Sequence, residues 1–270
     1  MAEGAALSPA AARIEAQRDI ERARYAFVIG NSKPFDDLYP RTIFEARVAR
    51  QMAEERVLQK TFGMAVTQAL LVEEFARVEK TTRAPEQWEA IKKALGNDRH
   101  RIEEAFCRPL LVERALRARF AFDQSIHAGP HQKARRARAA FLAKEKVQGA
   151  VVRLLRRHAE PAPTVDQMLQ KATAEATGPR TLRPPSEPDK EAPLPVDPEV
   201  AAVLEKELRK PGDVTTVLEE RDQFEVFRLI EATGEVWKAE AVRFPKVEFE
   251  AWFGRIREAP GHPPKAALHR

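Results

Sequence analysis

The chain has one cysteine, Cys107, so no internal disulfide can form, and a lone thiol fits either redox compartment. Aromatic residues make up 7% of the 270 positions, too few to advertise a large aromatic-lined pocket. No run of about 18 apolar residues occurs, so the sequence holds nothing that spans a bilayer as a helix. Neither G-x-x-x-x-G-K-[ST] nor G-x-G-x-x-G is present, which removes support for a bound nucleotide. Charge of one sign is missing too: 46 basic residues face 41 acidic ones, a net +5, which describes a mixed surface rather than a nucleic-acid-binding composition. The N-terminal stretch MAEGAALSPAAARIEAQRDIERARYAF lacks a basic segment followed by an apolar core and does not read as a signal peptide. The expected location is periplasmic or otherwise extracytoplasmic if a signal has been removed, and cytoplasmic if Met1 is the native start.

What is there reads mostly as helix. Hydrophobic residues are 43% and charged residues 32%, the balance of a helix-rich protein with one or two cores. Ser8-Pro9 opens a first helix that ends near Gly30-Asn31. A long helix starts near Arg41 and stops at Gly63; Thr67 caps the next, with Leu70, Leu71, Phe75 and Val78 inward. Pro85 starts another, with Trp88, Ile91 and Leu95 on one face. Pro109 is expected to end or kink the helix that follows Asp98, and Gly129-Pro130 to break the chain before a basic helix over 131–158. Residues 159–198 gather many of the 20 prolines and read as a linker. A short helix is expected over 198–210. Alternation then takes over: Val214, Thr216 and Leu218, a turn at 219–222, Phe224, Val226 and Arg228, and a third strand over 236–244. Phe249, Trp252, Phe253 and Ile256 give the last helix one apolar face.

Two segments together resemble a known family. FGMAVTQALLVEEFARV and ALGNDRHRIEEAFCRPLLVERALRARF resemble the N-terminal chaperone domain of the SurA, PpiD and PrsA foldases, with Val66-Thr67, Leu95-Gly96, Ile102 and the run from Leu111 to Arg117 fitting that layout. VDPEVAAVLEKELRKPGDVTTVLEERDQFEVFRLIEA resembles the second half of a parvulin-type prolyl isomerase domain, through Leu208, Gly212, Val214 and Thr215, then Phe224, Val226, Phe227, Arg228 and Leu229. The resemblance implies a mostly α fold. Its parts are a helical chaperone-like domain (1–158), a Pro-rich linker (159–198), a truncated parvulin-like α+β region with a closing C-terminal helix (199–258), and a tail (259–270). It also implies unfolded or nascent polypeptide as the partner. The departures are specific. Glu225 stands where the family strand carries histidine, Gln223 stands where it carries glycine, and residues 159–195 show no apolar strand for the first half of the domain. The hairpin therefore reads as a catalytic remnant, and no catalytic residue is assigned.

Three functions remain in view: an extracytoplasmic holdase without isomerase activity; an active isomerase with Phe224 and Phe227 lining a peptide pocket; and a basic helical adaptor binding nucleic acid through HQKARRARAAFLAKEKVQGAVVRLLRRH. No cofactor is implied. Asp123, His127 and His131 have loose metal-ligand spacing, but Gly129-Pro130 spoils it and no metal is assigned. Cys107 has no readable base beside it and reads as a buried small side chain. The adjacent pairs Glu54-Glu55, Glu73-Glu74 and Glu103-Glu104 point in different directions on a helix and read as solvated faces.

Overall fold

The structure, a computed structural model, describes residues 9–28, 30, 33–157 and 193–258. The chain is mostly helical, with one small antiparallel sheet. It divides into two compact units: Met1–Phe122 together with Glu248–Arg270, and Asp123–Val247. These limits differ from the expected boundaries at 158 and 198. Residues 123–157 build on the sheet, and the last helix belongs with the N-terminal helices. Residues 159–192 of the expected linker and the 259–270 tail lie outside the described residues. Among the described residues no helix is long and apolar enough to cross a membrane.

The first unit contains α1 (Pro9–Tyr25), α2 (Phe35–Leu38), α3 (Arg41–Phe62), α4 (Gln68–Thr81), α5 (Pro85–Ala94), α6 (Arg99–Ile102), a π turn (Glu103–Cys107) and α7 (Arg108–Ala121). From the far end of the chain comes Phe249–Glu258, α10 in chain order. Local signals set the limits. Gly63 adopts a left-handed conformation at φ 66°, open to glycine at little strain, and ends α3. The Thr67 hydroxyl accepts from Leu70 N at 3.4 Å, and the Asp98 carboxylate accepts from Arg101 N, opening α4 and α6. Ala16, Ile20, Val78, Trp88, Ile91, Leu95, Ile102 and Ala105 form one core, with Phe75 and Phe106 against Trp88.

Pro109 neither ends the helix nor stops α7. The π turn lies just before it, and the chain stays helical through it. Pro109 has no N–H to give the Ala105 carbonyl one turn back. The buried Gln17 side chain supplies a donor instead, Nε2 to Ala105 O at 2.6 Å. The closing helix α10 buries Trp252 and Phe253. Trp252 lies 5.0 Å from the Phe120 ring and 6.1 Å from Phe62, Arg117 sits over Phe249, and Arg50 bonds Glu250 at 2.7 Å. Large aromatic side chains bury roughly 150–250 Å² each. At about 25 cal/mol per Å² that stabilises the docking by several kcal/mol.

The second unit contains α8 (Ala128–Leu142), β1 (Val151–Arg156), α9 (Pro198–Glu207), β2 (Leu218–Glu219), β3 (Gln223–Ala232) and β4 (Val236–Pro245). The sheet order is β1-β4-β3-β2, every neighbour antiparallel. Two expectations need correction here. Gly129 and Pro130 do not break the chain but lie in the first turn of α8, where a proline needs no hydrogen-bonded N–H. The basic segment 131–158 is not one helix: α8 ends at Leu142, Lys144 and Gly149 take positive φ in the turns that follow, and Val151-Val152 leads into β1. β-branched residues and six cross-strand partners on β4 favour the extended form there. The sheet thereby gains a strand from upstream of the expected linker.

Leu155, Phe227, Leu229, Trp237, Ala239 and Ala241 cover one sheet face and pack under Leu204 and Leu208 of the α9 segment. Phe224, Val226 and Val242 cover the other and pack on Ala134, Ala137 and Phe141 of α8.

Candidate functional site

Glu225 lies mid-sheet on β3, opposite Arg243 on β4 and Leu218 on β2. Its side chain is 2% exposed. Arg243 Nε donates to Glu225 Oε1 at 2.5 Å, and an Arg153 guanidinium nitrogen from β1 lies 3.5 Å from the same oxygen. Alternation puts all three residues on the α9 side of the sheet; Glu225 and Arg243 pair at the end beyond the apolar cluster, and Arg153, opposite Ala239 within that cluster, reaches along the face to them. Burial pushes the Glu225 carboxyl above the usual carboxylate range, against the hydrogen bond and charge of Arg243 and the charge of Arg153. The result is a carboxylate enclosed by two guanidinium groups. Arginine does not give up its proton in this pH range, so the cluster contains no donor–acceptor relay of the kind an imidazole pair offers.

Phe224 and Phe227 occupy even and odd positions of β3 and so face opposite ways. Phe224 packs among the α8 residues, 5.1 Å from the His131 ring, with Lys246 Nζ 4.9 Å from its centroid. Phe227 packs in the α9-side cluster. Both are buried, and they do not line one pocket. Asp123 accepts from Ser125 N and Ile126 N, and His127 Nδ1 accepts from Val247 N at 3.3 Å. Those bonds, with His131 against Phe224, turn the three side chains to separate tasks. Among the described residues no group of three His, Cys, Asp or Glu could hold a metal. The basic segment is divided as well: Arg138 of α8 donates to Thr215 O at 2.8 Å and Arg153, on β1, points to Glu225, whereas Lys133, Arg135 and Arg136 stay exposed on α8.

The helical unit holds a cleft of about 300 Å³ between α1, α3 and the π turn with α7. Ile20, Phe106 and Leu110 give it apolar walls, Gln17 and Gln51 bring amides, and Arg47, Arg50, Glu54 and Glu113 bring both charges. Cys107, in the π turn, is buried, and burial together with the charges of Glu74 and Glu103 pushes its thiol up to about 12, so it is no nucleophile.

Sequence reasoning misses three buried carboxylates. Glu54, Glu74 and Glu103, expected on solvated faces, are nearly inaccessible. Glu54 accepts from Arg50, Glu74 from Arg77 and Arg114, and Glu103 from Arg99 and Gln68. The Arg50–Glu54, Glu74–Arg77 and Arg99–Glu103 spacings of three or four are the available signal for pairing, though not for burial. Arg153 and Arg243 leave none, because only sheet register brings them to Glu225. Compared with known proteins, the chain matches no family, no curated protein and no solved structure.

Proposed function

We propose that the protein is a polypeptide-holding chaperone of the foldase type, acting outside the cytoplasm and without prolyl isomerase activity. The observation that carries this reading is the cleft of the helical unit. Apolar walls from Ile20, Phe106 and Leu110 lie beside the Gln17 and Gln51 amides and charges of both signs. Such a lining takes an apolar side chain and its backbone amide without reading a particular sequence. The Glu225 cluster supports the second half of the reading. Rotation about an X-Pro bond faces a barrier of about 18–20 kcal/mol, and lowering it calls for a desolvated pocket with a polar network free to address the amide. Here the polar groups bind one another.

The test is light scattering of a chemically unfolded, aggregation-prone protein diluted with and without the full chain. Suppression by the wild type, weakened by Leu110→Glu at an unchanged melting temperature, is expected. Equal scattering with and without the chain refutes the holding function. A protease-coupled proline-peptide assay should show the uncatalysed rate, and acceleration would return the active-isomerase reading.

A further inference from the structure

The cleft of the helical unit leaves one cation unanswered. Most charges of its lining are hydrogen-bonded to opposite ones. Arg50 donates to Glu54 at 2.8 Å and to Glu250 at 2.7 Å, Arg47 donates to Glu21 at 2.9 Å, and Glu113 accepts from Arg117 at 3.1 Å. Arg24 lines the same cleft. Its ion pair among the described residues is to Glu21 Oε2 at 3.9 Å, too long for a hydrogen bond, and that oxygen already accepts from Arg47. Two guanidinium groups therefore share one carboxylate. The Arg24 side chain is 43% exposed, and its guanidinium lies 5.6 Å from the centroid of the Phe106 ring. The cation thus rests on an apolar wall of the cleft with its N–H groups unbonded. Two amides of the lining also have capacity to spare. Gln17 gives Nε2 to Ala105 O and keeps its own carbonyl open, and the Gln51 amide has no hydrogen-bond partner among the described residues.

We propose that the cleft selects its occupant by charge and takes an internal polypeptide segment in which an aspartate or glutamate adjoins an apolar residue. The carboxylate binds Arg24, and the apolar side chain lies against Ile20, Phe106 and Leu110. This deepens the holding function proposed for the cleft and rests on it. A guanidinium presents a planar fork of donors that matches a carboxylate with two parallel bonds. Because Arg24 lies on the Phe106 wall, the carboxylate and the apolar side chain come from neighbouring residues of the segment. The open carbonyl of Gln17 and the open amide of Gln51 suit the peptide groups beside them. An asparagine in place of the acid forfeits the ionic part of the contact, and a lysine meets Arg24 with like charge. The acids of the lining offer that lysine no equal site, since Glu54 and Glu113 already accept from arginine. The carboxylate comes from a side chain rather than a chain end, because an unfolded chain carries one C-terminus and many acidic residues.

The test is isothermal titration calorimetry on the full chain at low salt. The probe is an acetylated, amidated octapeptide holding one aspartate beside two leucines, compared with its asparagine and lysine counterparts. The aspartate peptide should bind about fivefold tighter than the asparagine peptide, the upper end for an exposed ion pair, with the lysine peptide weakest. In Arg24→Gln that advantage should fall below about twofold while the asparagine peptide binds as before. Where Arg24→Gln fails to fold, the wild-type series decides. Equal affinity for the three peptides, or an aspartate advantage that survives Arg24→Gln, overturns the charge selection and leaves the holding function standing. No binding of any peptide while the chain still suppresses light scattering also overturns it, because the client is then held elsewhere. So does an asparagine peptide with a free C-terminal carboxylate that binds as tightly as the capped aspartate peptide, because the cleft then reads chain ends. Unsuppressed scattering removes the holding function itself, and the charge selection with it.

Discussion

Replacing Gln17 by leucine tests how the helical unit tolerates a proline inside a helix. Pro109 withholds the N–H that the Ala105 carbonyl would receive from one turn ahead, and Gln17 Nε2 donates to that oxygen at 2.6 Å from a buried side chain. Leucine keeps the volume and removes the donor. A buried carbonyl deprived of its partner costs about 1–3 kcal/mol, which lowers the midpoint of a domain of this size by roughly 2–4 °C for each kcal/mol. The same reasoning fixes the second half of the cycle. Pro109→Ala restores an N–H at the position that addresses Ala105 O, so Gln17→Leu should cost little in that background. The coupling between the two substitutions should then approach the whole cost of the first. Urea unfolding followed by far-UV circular dichroism on wild type, both single variants and the double variant gives the four numbers. Equal costs for Gln17→Leu with and without Pro109 would refute the account, and so would a cost of a few tenths of a kcal/mol in the wild type.

Trp252→Ala should cost about 3–5 kcal/mol, because the ring is buried against Phe120 and Phe62; calorimetry showing an unchanged transition would deny that α10 belongs to the first unit. Cys107 should stay unlabelled by a thiol reagent at pH 8 in the folded protein and react at once in denaturant. Its folded pKa of about 12 lies above the ordinary thiol value of 9.0, so its contribution to stability is present below about pH 9 and is lost as pH rises toward 12. Glu225→Gln should change the pH profile in a defined sense. The folded carboxyl holds its proton to higher pH than the unfolded one, so the wild type loses stability relative to the glutamine variant as pH rises through and above the ordinary carboxylate range; urea midpoints moving the other way would show that Arg243 and Arg153 outweigh burial.

Local chemistry is legible wherever neighbours in sequence decide the outcome. Gly63, Thr67 and Pro85 act through bonds within a few residues, and the 249–256 pattern needs only helical period and an apolar face. Residues 131–158 mislead for the opposite reason. VVRLL satisfies helix and strand patterns alike, and the deciding partners, from Val236 to Ala241, lie far along the chain. The same distance hides the candidate site. Glu225 stands out through a family pattern, but its meaning depends on Arg243 across the hairpin and Arg153 two strands over. The burial of Glu74 is also invisible in sequence, because Arg114 comes from another helix.

The connectivity of the two units couples their folding through chain closure. The first unit needs α10, and Arg50 pairs with Glu250 across 200 positions of chain. Docking α10 therefore closes a loop on the order of 120 residues, and for a flexible chain that closure costs about 4 kcal/mol. The inserted unit 123–247 removes much of that cost when it folds, because its own two ends meet: Val247 N donates to His127 Nδ1 at 3.3 Å, and Ile126 N and His127 N both bond back to Asp123 O. A folded insert presents its ends as a fixed short span instead of a fluctuating loop. Damage to the sheet unit is thereby transmitted to α10 as lost chain closure. A docked α10 in turn holds the two ends of the insert together and restrains its unfolded chain, so the two units favour each other's folding by the same free energy.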